Sequence, residues 1–398
     1  MSDLINREHQ VLFQTYKRLP IEIDHAIGAK IWDRNGNEYL DFLAGIAVNA
    51  LGHSHPKIIE AAQKQISQYM HVSNYFYQEP QILLAEKLTQ LTGYTRVFFT
   101  NSGTEATDGA IKLVRKYSFG RGKKTIVAFS GGFHGRTYGA LSIMDKPKYK
   151  ENMGPFLPDT LVLKFNDIKE LERNINDETA AVFLEFIQGE GGIVSPTQQF
   201  VDKLEELRNK YNFLLVADEI QCGAGRTGKF FGFEHFGVSP DIVTMAKGIG
   251  GGLPLGAILA KDFLADVWDR GNHGTTYGGN AVACATGLVV VEELFNGVMD
   301  NALNIGEYLK NKLFQLQEHF PNMIVEVRGH GLMLGLLLSF DAQLLVDELL
   351  KNMVISNAAS GNVLRIVPPL TITKDEAELF LTKLHLSLVN LENKINLQ

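Results

Sequence analysis

Residues 198–220, QQFVDKLEELRNKYNFLLVADEI, carry an amphipathic helical pattern directly into an apolar run that ends on two acids, Asp218 and Glu219. An amphipathic helix has one face to bury, whereas a near-continuous apolar strand must be covered on both faces, as strands of a parallel sheet are. The same alternation extends on either side: TRVFFT, TEATDGAIKLVRKYS, KTIVAFS and AAVFLEF precede the stretch, and DIVTMAK follows it. The expected fold class is therefore α/β, with a mostly parallel central sheet flanked by helices. Such sheets take their ligands at the carboxyl ends of the strands.

Outside this region the pattern changes. AKIWDRNGNEYLDFLAG, residues 29–45, reads as a hairpin around an Asn-Gly-type turn, and after residue 285 helical stretches mix with the short strands MIVEVRG, LMLGLLLSF and NVLRIVPP. These signals predict a large α/β domain over 56–284 and a smaller α+β domain built from both chain ends, 1–55 and 285–398. A chain of 398 residues exceeds the usual size of a single core, and a hydrophobic content of 45% can fill two.

The formal net charge of -7 lacks the basic footprint of a nucleic-acid binder, which favours small-molecule chemistry. Cys222 and Cys284 are too few for a disulfide framework and lack metal-ligand spacing, which fits a reducing compartment. The opening MSDLINREHQ is polar, without an apolar signal core. The apolar stretches AVACATGLVVV and GLMLGLLLSF fall short of the ~20 residues that span a bilayer. A cytoplasmic location is expected.

Several strand ends carry unusual polar groups. DIVTMAKGIGGGLPLGA, residues 241–257, delivers Lys247 onto a loop with Gly248, Gly250, Gly251 and Gly252. A P-loop places its lysine after the glycines, so this is not one; the plain alternative is a solvated surface lysine beside a turn. VFFTNSGTEATDGAIK runs from strand through a turn into a helix, bringing the amides of Gly103 and Thr104 and the Thr104 hydroxyl to a helix N-terminus. That arrangement suits a phosphate, and it equally suits an ordinary cap with Glu105 in the first turn. FLLVADEI ends on carboxylates whose burial costs several kcal/mol without compensation, although a strand-terminal Asp also serves as a loop cap.

SGGFHGRTYGALS supplies an aromatic ring, an imidazole and a guanidinium at Phe133, His134 and Arg136, and AVFLEFIQGEGG ends on Glu185, Gln188 and Glu190. Gly223, Gly225 and Gly228 match the G-x-G-x-x-G dinucleotide pattern. Five residues intervene between the strand and the first glycine, and KFFGFEHFG does not read as the opening helix, so an NAD-binding oxidoreductase is the remote alternative. A phosphate, a ring nitrogen needing a buried carboxylate, a flat ring needing an aromatic lid and an aldehyde needing a lysine together describe pyridoxal 5'-phosphate.

The stretches NSGTEA, FHGRT, IQGEGG, ADEIQCGAGRTGKFFGFEHFGVSPDI, TMAKGIGGGLPLGA and GTTYGGNAVACA together resemble the class III pyridoxal-phosphate-dependent aminotransferases of fold type I, over nearly the whole chain. Within the class the wording is most similar to members that use acetylornithine. The resemblance implies that Lys247 forms the Schiff base and shuttles the proton at the substrate carbon. It implies that Asp218 keeps the pyridine nitrogen protonated, Gln221 bonds the phenolic oxygen, Phe133 stacks on the ring, and Gly103 and Thr104 seat the phosphate. Thr276 would reach the phosphate of a neighbouring subunit, with Thr275 beside it touching substrate, so a homodimer is implied. Arg136 would take the α-carboxylate of acetylornithine and Arg365 that of 2-oxoglutarate, with Glu190 as its switchable partner; Tyr16 would line the substrate entrance. The implied reaction moves the δ-amino group of N2-acetyl-L-ornithine to 2-oxoglutarate, a step of arginine biosynthesis, with ornithine and 4-aminobutyrate as alternative donors. Phe186 stands where the family commonly has proline and is expected to alter the loop near the substrate. The glycines after Lys247 are expected to leave room for the cofactor and to let the lysine swing.

Overall fold

The structure, a computed structural model, describes residues 3–396. Among them the central sheet has seven strands, in the spatial order Arg96–Thr100, Gly256–Ala260, Ile242–Met245, Leu214–Asp218, Thr179–Leu184, Thr125–Phe129 and Thr160–Leu163. Gly256–Ala260 runs antiparallel to both of its neighbours, and the other pairs are parallel. Thr179–Leu184, Leu214–Asp218 and Ile242–Met245 are buried at every position, which explains their mostly apolar sequence.

The Gln198–Tyr211 helix sends Phe200, Val201, Leu204 and Leu207 into the core. It starts where the Thr197 side chain accepts from the Phe200 amide, and it ends at Asn212, which takes a left-handed φ of 51°. Each fully buried side chain of this size contributes about 1.5–3 kcal/mol. The helix and the strand after it therefore form one packing unit.

Two strands escape the sequence pattern. TLVL (160–163) is a short strand at the sheet edge, and GAILA (256–260) follows glycines that read as loop. The 30–41 hairpin forms as its sequence predicts: Lys30–Asp33 pairs with Glu38–Asp41, and the Asp33 carboxylate accepts the Asn35 and Asn37 amides across the turn.

Residues from the two chain ends meet here. Val354–Ile355 pairs in parallel with Glu38–Asp41, closing a sheet that also holds Ile23–Ile27. A further sheet of Ile324–His330, Met333–Leu338, Val363–Ile366 and Asn357–Ala359 carries Arg365, placed in register opposite Gly335 and Asn357. The apolar Ala281–Glu293 helix lies against the helices Pro56–Gln68 and Glu79–Thr92 and is a core helix, burying Ala281, Val282, Cys284, Val290 and Val291.

Candidate active site

A cavity of about 390 Å³ opens at the carboxyl ends of the central strands, and Gly103, Thr104, Phe133, His134, Arg136 and Lys247 all line it. On one side the Gly103–Ser118 helix begins. Ser102 caps it, with Oγ accepting from the Glu105 amide at 3.4 Å, while the Glu105 carboxylate returns to the Asn101 amide at 3.0 Å. The cap is therefore formed, and it does not exclude an anion at the same helix start. Side chains serve the cap, and the first-turn amides of Gly103 and Thr104, which no helical carbonyl can accept, stand at the cavity. A side chain at Gly103 would place its Cβ 2.7 Å from Ile220, so close packing fixes glycine there.

Thr104 joins this helix start to the Phe133–Thr137 loop. Its Oγ1 accepts from the amides of Arg136 at 3.0 Å and Thr137 at 3.1 Å and shares a 2.8 Å hydrogen bond with the Thr137 hydroxyl. Phe133 is held by its own amide, which donates to Glu185 Oε2 at 2.8 Å. The loop is thus positioned by polar contacts from a helix start and from the end of a strand.

Behind the cavity wall, Asp218 Oδ2 lies 2.7 Å from His134 Nδ1, and both side chains are 2% exposed. Its other oxygen accepts from the Ile220 amide at 3.1 Å, so the loop-cap role is real and occupies one oxygen. Burial pulls the His134 pKa down, but the hydrogen bond and charge of Asp218, with Glu185 behind it, outweigh burial and hold the imidazole above its ordinary value. Burial pushes Glu185 up to about 7, partly opposed by His134. Sequence reasoning placed His134 near the site but did not pair it with Asp218.

Lys247 takes a left-handed φ of 48° at the start of a single 3-10 turn, Lys247–Gly250. Burial pushes its pKa down to about 8; Arg365 adds to this, while Glu190, Glu185 and Asp218 oppose it. A surface lysine is excluded. Because the neutral amine is the nucleophile and a lowered pKa makes it abundant sooner, attack on added pyridoxal phosphate by cofactor-stripped protein is expected to rise through pH 8 and then level off. Stopped-flow absorbance at a series of pH values checks this; a rate still climbing toward pH 10, as for an ordinary lysine, would contradict it.

Beside Lys247 sits a buried polar cluster. Arg365 is 1% exposed; it forms an ion pair with Glu190, donates to Gln221 Oε1 at 3.1 Å, and is oriented by Asn357 Oδ1 at 3.1 Å. Burial raises the Glu190 carboxyl, but the Arg365 charge and hydrogen bond win and hold it below the usual range. Asn357 had no local signal, since its partner lies on a different strand.

The remaining residues singled out in the sequence are placed as follows. Among the glycines after Lys247, Gly252 lines the cavity, whereas Gly248 packs on Ala224, Gly250 on Leu255 and Gly251 on Ile58, so these three serve close packing rather than cofactor room. Phe186 is fully buried and packs on Phe233 and Phe236. Gly225 and Gly228 pack against Leu294, Met299 and Leu303, and a short 3-10 turn, Gly232–Phe236, stands where a dinucleotide site needs a helix. Tyr16 is exposed in a separate groove of residues 4–22 and does not line the Lys247 cavity. Thr275 lines another cavity, where its Oγ1 accepts from Asn101 at 3.1 Å; Thr276 is exposed.

Residues 12–388 match the family described as aminotransferase class-III. The chain belongs to the class-III aminotransferases. It is 43% identical to the acetylornithine aminotransferase of Methanocaldococcus jannaschii, over 96% of each chain. It is also 43% identical to that of Caldanaerobacter subterraneus subsp. tengcongensis, over 94% of this chain and 96% of the relative. The ornithine aminotransferase of Toxoplasma gondii superposes with a TM-score of 0.93 at 31% identity, covering 98% of this chain and 96% of that one. An (S)-enantioselective omega-transaminase from Thermomicrobium roseum gives 0.91 at 30%, over 98% of both. As a class-III aminotransferase the chain has fold type I and depends on pyridoxal phosphate. The donor set fits that cofactor: helix-start amides for a phosphate, a lysine of lowered pKa in the same cavity, and a buried carboxylate behind it.

Proposed function

We propose that this aminotransferase moves the δ-amino group of N2-acetyl-L-ornithine to 2-oxoglutarate, giving N-acetyl-L-glutamate 5-semialdehyde and L-glutamate. The observation that carries this reading is the pair of guanidinium groups flanking Lys247's surroundings in opposite states. Arg136 lines the cavity, exposed and, among the described residues, in no ion pair, while Arg365 is buried and paired with Glu190. The names of the relatives at 43% identity favour acetylornithine over ornithine as donor.

When bound, pyridoxal phosphate supplies an aldehyde that links to amines and a ring that accepts an electron pair. The chain does the rest. Lys247, neutral at lower pH than a free lysine, holds and returns the proton at the substrate carbon. Asp218, hydrogen-bonded to His134, would hold the protonated ring nitrogen, and Gln221 would bond the phenolic oxygen. Gly103 and Thr104 would seat the phosphate, and Phe133 would stack on the ring.

Arg136 takes the donor's α-carboxylate in bidentate fashion. Arg365 takes that of 2-oxoglutarate in exchange for Glu190; because breaking a buried pair costs about 3–5 kcal/mol, the arriving carboxylate must replace Glu190 rather than follow its departure. Thr276 and Thr275 act across a homodimer interface, and Tyr16 at the entrance belongs to the same assembled state. The two free, buried cysteines suit the cytoplasm. The meeting of both chain ends in one sheet favours a division into 56–284 and the remainder.

Comparing kcat/KM for acetylornithine, ornithine and 4-aminobutyrate tests the donor. Acetylornithine is expected to lead by at least about 10-fold, a margin worth about 1.4 kcal/mol of transition-state binding. A lead for ornithine would reassign the substrate.

A further inference from the structure

Arg136 stands exposed at the cavity, yet its guanidinium is not free. Its Cζ lies 3.6 Å from the centroid of the Tyr149 ring and 5.5 Å from that of Phe133. The two rings meet edge to face, at 6.1 Å and 88°. Tyr149 comes from outside the strand-end motifs: it closes the 3-10 turn Pro147–Tyr149, which is tied by hydrogen bonds from the Tyr149 amide to Lys146 O at 3.1 Å and from the Lys150 amide to Pro147 O at 2.8 Å. Lys146, the other cation near this ring at 5.8 Å, points its ammonium toward Glu190 O at 3.5 Å.

We propose that Tyr149 is a positioning residue for the amino donor's carboxylate, acting through Arg136; this rests on the reading that Arg136 binds that carboxylate. A flat guanidinium offers two different surfaces. Its face is attracted by an aromatic ring, while its N–H donors lie along its edge in the fork that matches a carboxylate. Stacking on Tyr149 uses the face and leaves the edge available. An aspartate or glutamate in the same place would also hold Arg136, but it would occupy that fork and compete with the donor. Without the ring, an exposed arginine spreads over many rotamers, and apparent affinity falls in proportion to the fraction that aims correctly. The side chain is thus organised before the donor arrives, at no loss of binding capacity.

The test compares N2-acetylornithine with its α-carboxamide, which keeps the reacting amine and loses the charge. In the holoenzyme, Tyr149→Leu is expected to shrink the acid-to-amide ratio of kcat/KM by about 3- to 10-fold, the range a single cation–π contact supports. Tyr149→Phe, which keeps the ring face, is expected to restore it. Calorimetric binding of N2-acetyl-L-norvaline, an unreactive carboxylate without the δ-amine, is expected to weaken by the same factor in Tyr149→Leu. A merely structural role would lower acid and amide alike. Arg136→Leu separates the two readings. If it collapses the ratio while Tyr149→Leu leaves it at the parent value, the role of Tyr149 is overturned and that of Arg136 stands. If it leaves the ratio intact, the carboxylate does not bind Arg136 and both readings fall.

Discussion

Lys247→Ala is expected to reduce turnover by at least about 10³-fold, because on the proposed assignment the change removes both the covalent anchor and the group that moves the proton. The fold should survive it. Lys247 enters a 3-10 turn in which Gly248, Ile249 and Gly250 are the buried residues. Its backbone is left-handed at φ 48°, a conformation equally strained with alanine, so little stability changes hands on that account. The check is chemical as well as kinetic. After borohydride reduction, the parent protein should carry the cofactor's mass on the peptide containing residue 247, and Lys247→Ala should carry it nowhere. Cofactor mass at another lysine, or turnover near the parent's, would remove Lys247 from its assigned place.

Asp218→Asn is expected to lower kcat by about 10²- to 10³-fold, the usual effect of deleting one organised electrostatic partner from an enclosed site. Asparagine has one oxygen where the two carboxylate oxygens of Asp218 serve His134 and the Ile220 amide, so it can accept one of those bonds, and it loses the negative charge. The imidazole provides an independent reading. Burial alone drives the His134 pKa down, and the bond and charge of Asp218 are the main forces holding it up. Removing the charge should therefore turn His134 neutral at a pH where the parent's is cationic, visible in the ring resonances of a selectively labelled protein. An unchanged His134 titration would mean that the pair is not electrostatically coupled as its 2.7 Å separation implies.

The parts of this site that were legible in the sequence are those where a local rule is broken. Asp218 and Lys247 each stand at the end of an apolar strand, and such a position demands an explanation from energetics alone. Strands buried on both faces announced the sheet in the same way. The Arg365–Glu190 pair was reached through the resemblance to a family, since no spacing rule connects residues so far apart in the chain. Tyr149, Asn357 and the pairing of His134 with Asp218 depend on side chains from distant segments meeting in space, and such contacts leave no periodic trace. Among the glycines after Lys247, Gly248, Gly250 and Gly251 meet Ala224, Leu255 and Ile58, and it is these neighbours that exclude a side chain there, whereas Gly252 lines the cavity. GAILA was hidden by those same glycines, although it is the strand that returns the chain from the lysine loop into the sheet.

The pairing of Leu40 with Val354 sets an order of events for a chain still being made. The 30–41 hairpin leaves the ribosome among the first segments, and its own two strands can join at once because their contacts are local. Its outer neighbour, Val354–Ile355, is among the last to be synthesised, so an edge of the early hairpin stays open while nearly all the chain is translated. An open edge is a template for wrong partners. The hairpin therefore keeps an edge in need of shielding until Val354–Ile355 has been released to pair with it.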